Sequence, residues 1–372
     1  MAGRVVLFGA TGYTGRRTAQ AMVRRGLRPV LAGRDAVRLA ALAGPLGGLP
    51  TQVADANDPA SVRALIGRGD VLVSTVGPFC RWGETAVYAA TGAGAVYLDS
   101  TGEPPFIRRV FEQAGPLAER SGASLITAFG YDYVPGNLAA ALALGRSAAL
   151  AHRVEVTYLV TGVGRAQALS RGSLASAVEL VAEPGYHWRD GIRPVPVGAR
   201  MRILTLNGYR VLGLAVGATE HYALPRLVAP HRLPEVDVYV GWPLARASVP
   251  APLPALTAAL LSRQPVRSLL RGAGRFALRW VAEEPDPAAL ARLRAGSIAT
   301  AYDASGRQLA RVRLQTADPY RLTAQLLAWG AQRAAAHGVA GSGALGPVQA
   351  FGLDTLRRGA QEAGLRCWEA GE

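Results

Sequence analysis

The sequence predicts an α/β fold with a doubly wound parallel sheet in its first third and a second, mixed α/β domain with a largely antiparallel sheet. In the first third, short apolar β-branched runs alternate with helical stretches. Later segments alternate apolar and polar residues, as half-buried strands do. The 372 residues also exceed the roughly 250 to 300 at which one hydrophobic core stops growing. We therefore expect a first domain at residues 1–135, with C-terminal helices at 341–372 packing back on it, and a substrate or dimerisation domain at residues 136–340.

The first strand leads into a glycine-rich turn. Residues 4–8, RVVLF, form a short apolar run, and helical spacing follows in TAQAMVRRG. Glycines between a strand and a helix allow a tight turn and close approach of a pyrophosphate, and the new helix directs its N–H groups at the anion. The context predicts a Rossmann dinucleotide-binding domain. Its predicted cofactor contacts in this turn are Gly9, Thr11, Gly12, Tyr13, Thr14 and Gly15.

The end of the second strand indicates which dinucleotide binds. RPVLAG ends at Gly33 and is followed by Arg34, about 20 residues beyond the glycine turn, where the adenosine ribose is expected. A guanidinium there accommodates a 2'-phosphate, so Arg34 favours NADP, although Asp35 follows at once and could instead cap the next helix. Arg16 and Arg17, in the first helical turn, could contact a bound phosphate or simply face water; both interpretations stay open.

Further strands continue the alternation at residues 51–58, 70–79, 95–103 and 124–132. In such a sheet the ligand lies across the carboxyl ends of the strands, at the point where the strand order reverses. Asp55, which ends the third strand, is expected near the adenine. The nicotinamide side is expected to be lined by Gly77, Pro78 and Phe79.

The pattern changes after residue 136. Strands are expected at 153–162, 235–242 and 297–318, a helix at 173–183, and two strands at 201–216 joined by Asn207-Gly208, a strong hairpin signal. These elements predict a mixed or antiparallel sheet that carries substrate contacts and a possible homodimer face.

Charge and cysteine content exclude several classes of protein. The formal net charge is +15, and all 41 basic residues are arginines. Without lysine, Schiff-base enzymes, Walker A ATPases and Tyr-x-x-x-Lys dehydrogenases are excluded. No nucleic-acid recognition motif accompanies the arginines, so nucleic acid is not an expected partner. Two cysteines, no apolar leader and no long apolar run predict a cytoplasmic protein.

A basic segment follows the proline-rich stretch SVPAPLPAL. Arginines recur every fourth residue, which on a helix makes one slowly drifting stripe. Three interpretations stay open for Arg263–Arg279: a solvated face, a docking surface for an acidic carrier protein, or a membrane-surface helix. The stripe consists of Arg263, Arg267, Arg271, Arg275 and Arg279.

Hydride transfer needs a proton donor beside the acceptor. Tyr131, Asp132 and Tyr133, after the sixth strand, are the preferred catalytic candidates, because a phenol can donate a proton and a carboxylate can orient it; a purely structural role is the alternative. The other candidates are acids at strand ends (Asp99, Glu103), a thiolate nucleophile (Cys80) and histidines of the second domain (His187, His221). No histidine-cysteine spacing predicts a metal site.

The chain resembles a known family in the segments GATGYTGRRTAQ, AGRD, VGPFCRWGETAVYAATGAGAVYLDSTGE and AFGYDYVPGNLA. Together they are similar to the saccharopine dehydrogenase-like oxidoreductases, including trans-acting enoyl reductases, over residues 4–140. The resemblance implies a Rossmann domain, NADP or NAD as cofactor, and reduction of a C=C or C=N bond. We expect an NADPH-dependent reductase of a biosynthetic intermediate, free or carrier-bound. The alternative is a non-catalytic NADP-binding sensor or scaffold, which needs no proton donor.

Overall fold

The computed structural model describes residues 3–145, 147, 149–161, 170–180, 185–195, 201–206, 209–243, 263–282 and 284–367. The strands are β1 (Val5–Phe8), β2 (Val30–Gly33), β3 (Thr51–Val53), β4 (Val71–Ser74), β5 (Val96–Asp99), β6 (Ser124–Ile126), β7 (Arg153–Thr161), β8 (Gly185–Arg189), β9 (Ile192–Val195), β10 (Met201–Leu206), β11 (Tyr209–Ala215), β12 (Glu235–Pro243), β13 (Arg294–Tyr302), β14 (Gln308–Thr316), β15 (Gly343–Ala344) and β16 (Arg366–Cys367). The helices are α1 (Tyr13–Arg24), α2 (Ala36–Ala43), α3 (Pro59–Arg63), α4 (Phe79–Ala93), α5 (Pro104–Arg109), α6 (Gly115–Ser121), α7 (Val134–Leu144), α8 (Arg171–Leu180), α9 (Glu220–Leu227), α10 (Gln264–Ala277), α11 (Pro287–Arg292), α12 (Pro319–His337), α13 (Pro347–Phe351) and α14 (Leu353–Glu362).

The first compact unit contains the chain through Val134 together with Pro319–Leu365. Its sheet has the order β15-β6-β5-β4-β1-β2-β3, and every neighbouring pair is parallel. The central strands β1, β2 and β4 are buried along their whole length, as expected where helices cover both faces of a parallel sheet. The predicted doubly wound parallel sheet is confirmed, and the strand order reverses between β1 and β4.

The long helix α12 belongs to this first unit, whereas the sequence analysis had assigned the chain up to residue 340 to the second domain. Its apolar residues are buried, and Trp329 stacks on Phe129 with ring centroids 6.3 Å apart. Phe351 contacts both rings, at 5.3 Å from Phe129 and 5.0 Å from Trp329. Helical periodicity reports that a helix has a buried face, but it does not report which core that face joins.

The second unit contains Pro135–Asp318 and the chain from Arg366 onward. Its main sheet has the order β10-β11-β12-β7-β13-β14-β16, and the β8–β9 hairpin joins the edge of β12. Strands β12 and β7 pair in parallel, and the other neighbours are antiparallel. This confirms the predicted mixed, largely antiparallel sheet. Residues 207 and 208 lie outside the described residues; the flanking strands pair with Leu206 opposite Tyr209.

The basic segment forms helix α10 even though it contains Gly272 and Gly274. A Cβ atom at Gly274 would lie 2.7 Å from a methyl carbon of Val178, so glycine allows α10 to pack closely on α8. The side chain of Arg275 is outside the described part of the chain. Among the described residues, no helix is both long and apolar enough to cross a membrane.

The aromatic cluster of Phe129, Trp329 and Phe351 yields the first prediction. Replacing Phe351 with alanine should lower the free energy of unfolding by about 3 kcal/mol, because it removes a buried ring between two others. Denaturant titration followed by circular dichroism measures the change. Val37→Ala, at an exposed position, is the matched control, and a loss below about 1 kcal/mol for Phe351→Ala would show that the C-terminal helices are not part of this core.

Candidate functional site

The turn between β1 and α1 brings two stretches of backbone unusually close together. Gly9 has a φ of +85°, and the N–H groups of Gly9 and Ala10 donate to the carbonyl oxygen of Ala32, at 2.9 and 3.1 Å. A Cβ atom at Gly15 would overlap the carbonyl oxygen of Gly9. Glycine is therefore required at both positions, and the turn presents bare backbone at the carboxyl end of β1.

The amino terminus of α1 suits an anionic ligand. The cap residue is Gly12, which provides no side-chain hydrogen bond, and the first turn contains no acidic residue. No carboxylate of the helix therefore competes with a phosphate for this end of the helix dipole. Around it, Thr14 accepts through its carbonyl oxygen from the Thr18 hydroxyl, at 2.9 Å, and the Tyr13 ring packs edge-on against Tyr320. These residues fit the diphosphate of a dinucleotide.

For Arg16 and Arg17, contact with a phosphate and exposure to water were the two interpretations, and the structure shows which groups of the protein their side chains contact. Arg16 donates to the carbonyl oxygen of Thr11, at 2.7 Å. The Arg17 guanidinium lies over the Tyr13 ring, 5.2 Å from its centroid. Both side chains are thus held by the glycine-rich turn itself.

Two arginines, Arg34 and Arg38, lie where the adenosine ribose is expected. Asp35 caps α2 by accepting from the Arg38 N–H at 3.0 Å, so its carboxylate is used by the helix and Arg34 stays exposed beside it. The Arg38 guanidinium reaches the Thr11 carbonyl oxygen at 3.4 Å. Sequence reasoning missed Arg38; its position one turn into the helix that follows Arg34 was the available signal.

Asp55 follows β3 at the same edge of the sheet. Its carboxylate accepts from both the backbone and the side chain of Asn57, at 2.9 Å each. These hydrogen bonds, together with the nearby charge of Arg34, lower the pKa of Asp55 below its usual value. Asp55 is therefore an ionised residue that orders its own loop, and its contact with adenine stays a prediction.

The segment after β4 contains residues that can line a cofactor, Gly77 and Pro78, and a residue that packs in the core, Phe79. Thr75 binds the end of β1 through its hydroxyl, at 3.2 Å from the Phe8 carbonyl oxygen and 3.0 Å from that of Gly9, and Gly77 and Pro78 follow before α4 begins. The ring of Phe79 is only 4% exposed and packs on Phe106 at 5.5 Å. Gly77 and Pro78 can thus line a cofactor, whereas the Phe79 side chain forms part of the core.

Glu103 anchors the start of α4. Its two carboxylate oxygens accept from the N–H groups of Phe79 and Cys80, at 2.8 Å each, and the side chain is fully buried. These contacts show that Glu103 caps a helix, which corrects its earlier consideration as a catalytic acid.

The surroundings of Cys80 disfavour a thiolate nucleophile. Burial, reinforced by the charge of Glu103, raises the pKa of the Cys80 thiol to about 12. A thiol with such a pKa is protonated at neutral pH and unreactive.

Asp99 is also structural. Its buried carboxylate accepts from the Thr101 N–H, the Ala128 N–H and the Thr127 hydroxyl, at 2.9, 2.8 and 2.7 Å. Burial raises the pKa of Asp99 to about 6 despite these hydrogen bonds. Ala128 has a φ of +58°, a conformation that costs a non-glycine residue about 1 kcal/mol. Asp99 therefore fixes the loop that leads to Tyr131.

That loop carries Tyr131, Asp132 and Tyr133 at the carboxyl edge of the sheet, beyond β6. The backbone N–H of Tyr131 donates to the Thr323 hydroxyl at 3.0 Å, and the Tyr133 hydroxyl donates to the Gly102 carbonyl oxygen at 3.4 Å. Both tyrosines are buried, and these contacts hold the loop on either side of Asp132.

The Asp132 carboxylate differs from those of Asp99 and Glu103, which accept several hydrogen bonds. It is half-buried, and a Cβ atom at Gly102 would lie 3.0 Å from its Oδ2. No group in the described part of the chain forms a hydrogen bond or ion pair with it. Burial raises the pKa of Asp132 to about 6, so a proton can be exchanged there near neutral pH.

The two histidine candidates lie in the second unit. His221 is fully buried, its Nδ1 lies 3.1 Å from the carbonyl oxygen of Ala218, and burial lowers its pKa to about 4. Such a histidine stays neutral at physiological pH. His187 is half-buried in β8. Among the described residues, no group of histidine, cysteine and acidic side chains has the geometry to hold a metal ion.

Fold and site together define a protein of two compact units, the first of which has the strand, glycine turn and helix of a dinucleotide-binding domain. Residues 5–125 match the family model of the saccharopine dehydrogenase NADP binding domain. The expected resemblance to saccharopine dehydrogenase-like oxidoreductases and the choice of NADP(H) are thereby confirmed.

Relatives and a solved structure agree with this result. The trans-acting enoyl reductases of Mycobacterium leprae (strain TN) and Mycobacterium ulcerans (strain Agy99) are 41% and 39% identical over 140 residues, which are 36% of this chain and 34% of each relative. The match thus spans about a third of the curated relatives. Apo saccharopine dehydrogenase (L-Glu forming) from Saccharomyces cerevisiae superimposes with a TM-score of 0.58 at 11% identity, covering 99% of this chain and 100% of that one. It shows that the fold is shared.

Arg34 yields the second prediction. Arg34→Gln should weaken NADPH binding by roughly tenfold to a hundredfold and leave NADH binding within about twofold, because only NADPH carries the 2'-phosphate that a charge-assisted hydrogen bond would hold. Fluorescence titration with both nucleotides measures the effect. Arg24→Gln, an exposed arginine at the far end of α1, is the matched control, and equal losses for both nucleotides would contradict the assignment.

The two cysteines yield the third prediction. Cys80 should resist alkylation by iodoacetamide in the native protein, because its raised pKa keeps the thiol protonated, whereas exposed Cys367 should react. Mass spectrometry of the native and the denatured chain counts the modified sites. Rapid modification of native Cys80 would restore the thiolate hypothesis.

Proposed function

We propose that the protein is an NADPH-dependent oxidoreductase that reduces a C=C bond of an enoyl group, or a C=N bond of an imine, in a biosynthetic intermediate. The observation that carries the proposal is the half-buried residue Asp132, whose carboxyl lies beside Gly102 on the same sheet edge as the NADP-binding turn and has a pKa raised by burial. The name of the mycobacterial relatives, trans-acting enoyl reductases, favours C=C over C=N.

The strand order supports the placement of Asp132. The dinucleotide crosses the carboxyl edge at the switch point between β1 and β4. The glycine turn and Arg34 lie on the β1–β2 side, so a bound nicotinamide would be expected on the side of β4, β5 and β6. Gly77 and Pro78 follow β4, Gly102 follows β5 and Asp132 follows β6, which puts the acid on the half of the edge where the substrate must meet the nicotinamide.

The reaction needs a hydride and a proton. NADPH supplies the hydride when it is bound. Addition of the hydride leaves an electron pair on the neighbouring atom of the substrate, and a positioned acid must protonate that atom. We assign this proton to the Asp132 carboxyl, which then regains a proton from solvent. Tyr131 and Tyr133 are positioning residues in this proposal, because their contacts fix the loop on both sides of Asp132.

Asp99 and Glu103 differ from Asp132 in their hydrogen bonds, and this difference supports the assignment of the proton to Asp132. Asp99 accepts three hydrogen bonds and Glu103 accepts two from backbone N–H groups, so their oxygens are committed to the fold. A non-catalytic sensor or scaffold has no use for an acid that lacks such partners, and the reductase is therefore the better explanation.

We also propose that the substrate is presented on a carrier. The relatives are described as trans-acting, and an intermediate handed over by another protein would arrive in that form. A homodimer and a cytoplasmic location are part of the same proposal. Purified protein supplied with matched free and carrier-bound unsaturated thioesters tests it: faster turnover of the free thioester would contradict the preference.

Asp132 yields the fourth prediction. In the native protein, kcat for an unsaturated thioester should fall as the pH rises through about 6, because the pKa of Asp132 is raised to about 6 and only the protonated form donates. Asp132→Asn should lower kcat by about a hundredfold or more, remove this pH dependence and leave NADPH affinity within about twofold. Stopped-flow oxidation of NADPH across the pH range measures all three.

The matched control is Asp354→Asn, an exposed acid on α14, which should change none of these quantities. Unchanged turnover in Asp132→Asn would remove this acid from the mechanism. No oxidation of NADPH with any unsaturated thioester or cyclic imine, despite saturable NADPH binding, would instead favour the sensor or scaffold.

A further inference from the structure

The segment from helix α10 to Trp280 exposes more apolar surface than any comparable stretch of the described chain. Trp280 is 83% exposed and Leu269 is 73% exposed, and Leu270 and Phe276 are exposed as well. Four of the nine large apolar side chains that are exposed among the described residues thus fall within twelve residues. Single exposed apolar residues are ordinary, but a contiguous group marks a surface that contacts something other than water.

Three of these exposed residues, Leu269, Phe276 and Trp280, form one stripe, and Leu270 lies beside it. Leu269 and Phe276 are seven residues apart, a spacing that puts side chains on one face of an α-helix, and Trp280 lies in the 3-10 turn Leu278–Trp280 that continues α10. Helix α10 contacts α8 on its other side, where Gly274 meets Val178. The packing therefore leaves the apolar face outward, the reverse of an ordinary surface helix.

Arginines flank this face, which we call the α10 stripe. Arg263 and Arg279 are exposed at its two ends, and Arg267 and Arg271 are half-buried. The Arg279 guanidinium lies 5.4 Å from the centre of the Phe276 ring. No acidic residue occurs from position 263 to position 282. The charged side chains of this segment are therefore all arginines, with the exposed acids Glu284 and Asp286 following it, and exposed Arg263 and Arg279 complement a negatively charged surface.

We propose that the α10 stripe lies on the surface of a membrane that contains anionic lipids. The apolar side chains would enter the boundary between headgroups and acyl chains, where tryptophan is favoured, and the arginines would contact lipid phosphates. This occupant fits better than an acidic protein, because the stripe is the convex side of a single helix. A fluid lipid interface adapts to a convex apolar ridge, whereas a protein partner needs a complementary groove.

Such binding would bring the chain to lipid-borne or lipid-like molecules without a membrane-spanning helix. It does not depend on the proposed reduction, since it concerns a surface of the second unit and needs no turnover. Its test can therefore fail while the reductase proposal stands, and the reverse also holds.

The experiment is flotation of the full-length protein with vesicles of phosphatidylcholine alone or mixed with phosphatidylglycerol. We expect binding to the mixed vesicles and little to phosphatidylcholine alone. The double variant Leu269→Ser/Trp280→Ser should lower the partition coefficient by at least about tenfold, because two large side chains no longer enter the interface. Arg263→Gln and Arg279→Gln should each lower it by about fivefold on mixed vesicles only.

Val37→Ser and Leu150→Ser, at exposed apolar positions outside the stripe, are the matched controls and should bind as the native protein does. NADPH titration and the thermal unfolding midpoint verify that each variant is folded. Absence of native binding to the mixed vesicles would overturn the proposal, as would equal losses in the controls. Capture of an acidic carrier protein through the same residues, without vesicle binding, would also overturn it.

Discussion

The close approach of Gly15 to the carbonyl oxygen of Gly9 is the contact on which the first domain depends. It lets α1 start directly over the end of β1, so that an uncapped helix terminus and bare backbone face the same point. A phosphate bound there meets the positive end of the helix dipole and no competing carboxylate. Arg34 is exposed after β2, and the Arg38 guanidinium reaches the Thr11 carbonyl oxygen, where we predict that the ribose end of the cofactor binds.

Burial alone does not give an acid a catalytic role; its remaining hydrogen-bonding capacity decides. The pKa values of Asp99 and Asp132 are raised by the same cause, removal from water, and to the same value of about 6. Yet Asp99 binds three donors and holds Ala128 in a left-handed conformation, whereas Asp132 has no such partner. One acid stabilises the loop, and the other is presented by it.

The α10 stripe is a second case in which the sequence pattern does not tell what surrounds a residue. Four-residue arginine spacing indicates a helix with a cationic side, which fits a solvated helix as well as a membrane-bound one. Only the packing of Gly274 against Val178 shows that the side carrying Leu269 and Trp280 faces outward. An apolar stripe facing the core needs no partner, but the same stripe facing outward does.

The sequence by itself determined the parallel sheet, the glycine turn, the NADP preference and the mixed second sheet, because each depends on residues close together in the chain. It also located the loop of Tyr131, Asp132 and Tyr133. Only the tertiary structure assigned α12 to the first domain, buried Phe79, and committed Glu103 to the start of α4. These facts depend on which distant groups meet in space, and neither periodicity nor a local motif carries that information.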